Sequence, residues 1–292
     1  MLLVLAALAL APRAVGLFAI SSLSDVFMIA TIAVALNLIA GYGGYPAFGN
    51  VVFFGIGAYS TGVVMVRFGL PFALGLAAGV AVSVATAALF GPLLFRLRGH
   101  YFAIGTLGLN GAVAQLVTNL PLSGGGKGLS LPLIGGSPFA AASFFYELYL
   151  GTLALTVIAA YLIVRGPLGY ACRALRSGED VAQSLGVDTL RTKIALWAAS
   201  AAFTGLAGGI YAYSLTYIEP PDVFNLALSV KAFVIMLLGG TATLLGPLVA
   251  AVLVEGAVAV TQHFLLNYDV GVLGLIIIAV IVFAPNGIRL RK

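Results

Sequence analysis

Charge is scarce in this sequence. Lys, Arg, Asp and Glu together make up 8% of its 292 residues, against roughly 25% in soluble domains. A soluble globule cannot cover its surface with so few charges, and a disordered chain would be far more polar. Cysteine occurs once, as Cys172, which excludes an intramolecular disulfide and any cysteine-based metal site. The two histidines, His100 and His263, are too few and too far apart for a zinc motif. A phosphate-binding loop is also missing. Gly124–Gly128 holds Lys127, but Gly rather than Ser or Thr follows it, so the chain does not bind ATP by that device. The net charge of +5 comes from 14 basic residues; spread along so apolar a chain, they report membrane topology rather than nucleic-acid binding. The set AVILMFWYC supplies 62% of the residues. This composition belongs to an integral membrane protein, and the spans below make it an all-α, polytopic one.

Charge-free stretches mark the expected spans, because a charge at mid-bilayer costs ~3 kcal/mol and about 20 helical residues cross the hydrocarbon. They run Val26–Val66, Phe68–Phe95, Gly99–Gly126, Leu148–Val164, Ile194–Ile218, Ala232–Val254 and Val270–Ile288. The first is long enough for two passes with a reversal at Gly41–Pro46, where glycines permit positive φ and proline stops a helix. A second break, Gly239–Pro247, interrupts a later span. Residues 2–22 read as a poor first span, with both termini on one side and about ten spans in all. Threaded so, ten basic residues share that side: Arg96, Arg98, Arg165, Arg173, Arg176, Arg191, Lys193, Arg289, Arg291 and Lys292. The other side receives Arg67, Lys127 and Lys231, with Asp25, Glu147, Glu219, Asp222 and Asp269. Basic loops stay inside, so both termini and segment 165–193 are expected in the cytoplasm. Small residues at helix-packing spacing, Gly75/Gly79 and Gly205/Gly209, predict close helix contacts.

The longest polar segment reads as a short capped helix over Ser177–Gly186. Ser177 with Asp180 forms a capping-box-like pair, Glu179 and Asp180 suit the positive end of the dipole, and Gly186 suits a left-handed stop. By helical spacing Val181, Ala182 and Leu185 share an apolar face, with Arg173 and Arg176 just ahead. Such a helix can lie on lipid or enter a partner's groove.

Four ordered motifs narrow the reading. Glu179–Val187, followed by Lys193 to Gly209, resembles the cytoplasmic signature of ABC-importer permeases. Leu36–Gly49 with Phe53–Tyr59, Leu97–Leu107, and Leu237–Gly240 with Gly246-Pro247 resemble stretches of the branched-chain amino-acid importer permeases. The resemblance covers about residues 26–288. It implies one permease domain over residues 1–292 with a coupling segment at 165–193, and a type II importer fold with an internal inverted repeat. It further implies a bacterial inner-membrane complex with a second homologous permease, two cytoplasmic ATPases that use the ATP, and a periplasmic binding protein. The permease itself would carry no catalytic residue, metal or cofactor, and would bind no nucleic acid.

Site expectations follow. Coupling to the ATPase falls to Arg173, Arg176, Ser177, Glu179, Asp180, Val181, Ala182, Leu185 and Gly186. Arg67, Lys127, Glu219 and Asp222 are expected to receive the binding protein. An inner gate is expected at the two breaks, with Tyr42, Tyr45, Phe48 and Thr243; otherwise the path lies around Asn110 and Glu255. A path that must release zwitterions should hold no strong charge pair. Asn37, Asn50, Asn110 and Gln115 read first as interhelical hydrogen-bond partners. The competing class is a secondary transporter or channel with Glu255 as a proton or cation site. A membrane enzyme would need paired carboxylates or clustered histidines at one edge, which the sequence lacks.

Overall fold

The computed structural model describes residues 16–264 and Gly274. Most of the expected first span, the last span Val270–Ile288 apart from Gly274, Asp269, and Arg289, Arg291 and Lys292 lie outside these. Within them the chain is helical. Helix α1, Leu17–Leu36, continues through a π-helical turn, Asn37–Tyr42, and the chain then reverses. A 3₁₀ turn at Phe48–Asn50 leads into α2, Val51–Phe68. Helices α3 (Phe72–Leu94), α4 (His100–Asn119) and α5 (Pro138–Arg165) follow. Two short helices, α6 (Pro167–Ser177) and α7 (Glu179–Ser184), precede the long α8 (Thr189–Leu215). Last come α9 (Pro220–Val223), α10 (Leu226–Gly239) and α11 (Gly246–Phe264). A two-stranded antiparallel ribbon pairs Leu129 with Ile218 and Ser130 with Tyr217.

Among the described residues seven helical segments are long and apolar enough to span, and Gly246–Val258 is a shorter apolar helix. Alternation of the helices brings Arg96, Arg98, Arg165, Arg173, Arg176, Arg191 and Lys193 to one face, the basic face. Arg67, Lys127 and the ribbon lie at the opposite face.

The expected reversal at Gly41–Pro46 and the break after Gly239 are both there. Other expected boundaries shift. No turn separates residue 22 from residue 26, because α1 runs unbroken from Leu17 through Asp25. Glu147 and Lys231 lie inside α5 and α10 rather than in outer loops. A charge-free rule cuts a helix wherever a charge stands, yet an exposed flank or an oppositely charged neighbour lets the helix carry it.

The centre of the bundle is α2, α3 and α8, in backbone contact through glycine. A Cβ on Gly57 would lie 2.0 Å from the Gly205 carbonyl oxygen, and one on Gly208 2.0 Å from that of Phe54. Gly75, Gly79 and Gly209 crowd Thr61 in the same way, so the small-residue spacing marks close packing. Asn50 adds polar contacts across this centre, its amide donating to Ser200 at 3.2 Å and Thr204 at 3.1 Å. Helix α1 is buried along most of its length, while α3 exposes Leu89 and Leu93. An aromatic group at the basic end joins Tyr45, Phe53, Phe95, Phe102 and Trp197, with ring centroids 5.1–5.5 Å apart in successive pairs.

Candidate functional site

Segment 165–193 does not fold as one Ser177-capped helix. Gly178 has φ 131° and ψ 145°, a conformation open to glycine, so the chain breaks there. Ser177 instead ends α6 and donates its hydroxyl back to the Arg173 carbonyl at 3.4 Å. The far end behaves as its glycine predicts. Gly186 sits at φ 77°; its N–H donates to the Gln183 carbonyl and that of Val187 to the Ala182 carbonyl, the paired bonds of a left-handed helix stop.

The faces of α7 also differ from expectation. Ala182 is fully buried, whereas Val181 and Leu185, one turn apart, point outward at 47% and 70% exposure. Asp180 is exposed, but Glu179 turns inward. The Glu179 carboxylate is the meeting point of three elements. Lys193 of α8 reaches Oε1 at 2.5 Å, and the Thr189 hydroxyl donates to the same oxygen at 3.3 Å. From the α1–α2 reversal, the Tyr45 phenol donates to Oε2 at 3.2 Å. Lys193 also stands 4.7 Å from the Tyr45 ring centroid, a cation–π distance. Its side chain is 2% exposed, so the ammonium has left water and depends on these partners. Burial pushes the Glu179 carboxyl up, but Lys193, Tyr45 and Thr189 outweigh it and hold the group below its ordinary value. Burial likewise raises the Tyr45 phenol, which therefore stays protonated as a donor.

Lys193 and Thr189 were not among the expected site residues. The signal was present: Lys193 stands immediately before Ile194-Ala195-Leu196-Trp197 and one turn inside a helix capped by Asp188, whose Oδ1 accepts from Arg191 N–H at 3.0 Å. A lysine drawn that far into an apolar helix needs a carboxylate. Beside the junction an open cleft of about 390 Å³ is lined by Gly43, Gly44, Arg98, Arg176, Glu179 and Asp180, among others. Arg173 lies over the Tyr170 ring, 4.4 Å from its centroid.

The two breaks meet. Asn37, opening the π-helical turn, donates to the Thr243 carbonyl at 2.7 Å and accepts from Ala242 N–H at 3.0 Å. Ala242 has φ 59°, an unfavourable conformation for a residue with a Cβ, and the amide clamp holds it there. Tyr42 and Tyr45 are half-buried, Tyr42 in the cluster that holds Leu38 and Leu244 and Tyr45 at the Glu179 carboxylate. Phe48 is 4.3 Å from Phe233 between ring centroids, and its carbonyl accepts from Ser229.

The remaining expected residues fall elsewhere. Asn110 is buried in α4 and donates to the Phe224 carbonyl at 3.0 Å, its own carbonyl oxygen having no hydrogen-bond partner among the described residues. Gln115 is exposed on α4 and is not a buried interhelical partner. Glu255 pairs with Lys231 at 2.5 Å, both largely buried, so these spans do contain a strong charge pair. Glu255 is therefore not the unpaired acid that the competing reading supposes. At the face opposite the basic one Arg67 donates to the Pro121 and Leu122 carbonyls, each at 3.4 Å. The Tyr217 hydroxyl lies 2.8 Å from Glu219 and 2.9 Å from the Lys127 carbonyl, and Asp222 is exposed on α9. The four outer residues thus share one surface around the ribbon. Among the described residues no three of His, Cys, Asp and Glu come together.

The sequence motifs mark both breaks; that Asn37 clamps one to the other is what the structure adds. The family described as branched-chain amino acid transport system / permease component matches residues 18–281. The chain belongs to that family. It is 31% identical to the high-affinity branched-chain amino acid transport system permease protein LivM of Salmonella typhimurium, over 92% of this chain and 69% of the relative. Identity to LivM of Escherichia coli is 30%, over 94% of this chain and 70% of the relative. A probable branched-chain amino acid transport permease protein LivH of Methanocaldococcus jannaschii is 25% identical over 62% of this chain and 59% of its own. No solved structure matches. In this permease the family motifs at Leu36–Gly49 and Gly239–Pro247, distant in sequence, are the two surfaces that Asn37 joins.

Proposed function

We propose that the chain is the transmembrane permease subunit of an ABC importer for branched-chain amino acids or related small solutes. Family membership over residues 18–281 supports this most directly. In this reading the basic face is cytoplasmic, the membrane is the bacterial inner membrane, and both termini are inside. The whole chain is one permease domain of type II importer fold, with about ten spans and an internal inverted repeat. Its partners are a second homologous permease, two ATPases that consume the ATP, and a periplasmic binding protein.

The residues take roles accordingly. Helices α6 and α7 dock on the ATPase through Arg173, Arg176, Asp180, Val181 and Leu185, while Ser177, Ala182 and Gly186 shape the segment and Glu179 ties it to the bundle. Tyr42, Tyr45, Phe48 and Thr243 border the inner gate, with Asn110 and Glu255 deeper along the helices. Arg67, Lys127, Glu219 and Asp222 receive the binding protein. The permease performs no covalent chemistry; binding of substrate and ATP shifts it between inward- and outward-open states.

Reconstitution tests the reading. The chain, co-expressed with the ATPase, second permease and binding protein of its own cell, should co-purify with them and accumulate labelled leucine, isoleucine or valine in proteoliposomes only with ATP. Uptake driven by an ion gradient without ATPase subunits, and abolished by Glu255→Gln, would overturn it in favour of a secondary transporter.

A further inference from the structure

Three elements converge on one carboxylate at the basic face: α7 through Glu179, the following α8 through Lys193 and Thr189, and, far away in sequence, the α1–α2 reversal through Tyr45. We propose that Lys193 is the positioning residue that makes α7 and the Gly43–Ala47 reversal move as one body, an inference that rests on the importer reading above.

The argument is one of unpaired charge. Lys193 touches both other parties, its ammonium 2.5 Å from Glu179 and 4.7 Å from the Tyr45 ring centroid. Around it stand apolar groups, with the Phe95 ring centroid 6.0 Å away. If α7 were drawn outward alone, Glu179 would leave and the ammonium would remain in an apolar aromatic group without a counter-ion. That state is costly. The lower-energy response is for Tyr45 and the start of α8 to follow Glu179. Because Tyr45 sits in the reversal, and Asn37 fastens the start of that turn to Ala242 and Thr243, displacement of α7 reaches both breaks. Val181 and Leu185, the apolar side chains α7 leaves outside, are free to be gripped by whatever moves it.

Lys193→Met keeps the length and the apolar stem and removes only the charge. The double variant Lys193→Met/Glu179→Gln leaves no unpaired charge and keeps an oxygen for Tyr45 and Thr189. In the reconstituted complex both should retain ATP hydrolysis but move about tenfold less substrate per ATP, within the span usual for coupling between distant sites. A merely structural lysine would lower yield or thermal stability without changing that ratio. A second readout places a cysteine at exposed Thr241 in the second break, on a Cys172→Ser background. Its labelling rate from the cytoplasmic side should change when ATPases are trapped with ATP in the parent, and lose that dependence in both variants. An unchanged ratio and unchanged labelling response in the double variant would overturn the proposal. A parent complex without ATP-driven uptake would overturn the importer reading instead.

Discussion

The chain contains two lysine–glutamate pairs of the same length, 2.5 Å, in unlike places. Lys231–Glu255 joins α10 to α11, the two arms of one hairpin, with side chains 18% and 12% exposed. Lys193–Glu179 joins a helix outside the bundle to a helix within it, with the lysine 2% and the glutamate 25% exposed. The first pair fastens neighbours that the Gly240–Leu245 turn already holds together. The second also joins consecutive helices, linked by Leu185–Asp188, but its carboxylate accepts in addition from Thr189 and from Tyr45 of the distant α1–α2 reversal. Equal distances therefore describe unequal roles: one neutralises charge inside the spans, the other connects a surface segment to the reversal.

The largest expected effect comes from reversing the connecting pair. Glu179→Lys sets a second cation against the buried Lys193, and a broken buried pair costs about 3 kcal/mol or more. Thermal unfolding of the detergent-solubilised permease should show it as a clear fall in Tm, together with lost uptake. For the hairpin pair the informative variant is the double Lys231→Met/Glu255→Gln. Replacing a buried pair by apolar or neutral groups is often close to neutral, so Tm should stay near the parent value. Loss of uptake with an intact Tm would show that the two pairs share a mechanical or pathway role.

Next in size is Asn37→Ala, which removes two hydrogen bonds and with them the clamp that keeps Ala242 in its left-handed conformation, for about 2 kcal/mol. Ala242→Gly in the same chain should recover part of that loss, because glycine takes this conformation without a steric penalty.

Acidity separates the regions further. Glu179 is held below 4.5, the ordinary carboxyl value, so its stabilisation is complete above that pH and is lost as pH falls through the lower folded value. Substrate moved per ATP should accordingly stay flat from about pH 8 to about pH 5; a loss beginning near pH 6 would mean the carboxylate is not held by its partners. The smallest effect belongs to the outer surface. Arg67→Glu or Glu219→Lys alters exposed charges, worth under about 1 kcal/mol each, and should appear chiefly as weaker and differently salt-dependent binding of the periplasmic protein.

Much of the fold was legible in the sequence because turn chemistry is local. Glycines and Pro46 announced the reversal, Gly239 and Gly246-Pro247 the second break, and Gly186 the stop of α7. What escaped was cancellation across space. Lys231 and Glu255 are 24 positions apart, and a window that counts charges along the chain ends a helix at one of them although the partner neutralises it. The same blindness hid the role of Lys193, whose partner lies on another element. Ser177 misled for a different reason: its hydroxyl had a carbonyl available one turn back, and the next residue, Gly178, could take a backbone geometry that no serine would.

The glycine contacts at the centre carry a consequence for motion. Where Gly57 meets Gly205, and Phe54 meets Gly208, main chains touch with no side chain between them. A slide of α2 along α8 by a single residue, about 1.5 Å, would carry Cβ-bearing neighbours into those contacts. The three helices α2, α3 and α8 are thus a keel. Motion is then expected around their glycine contacts, at the clamped breaks, the first turn of α8 and the segment outside the bundle.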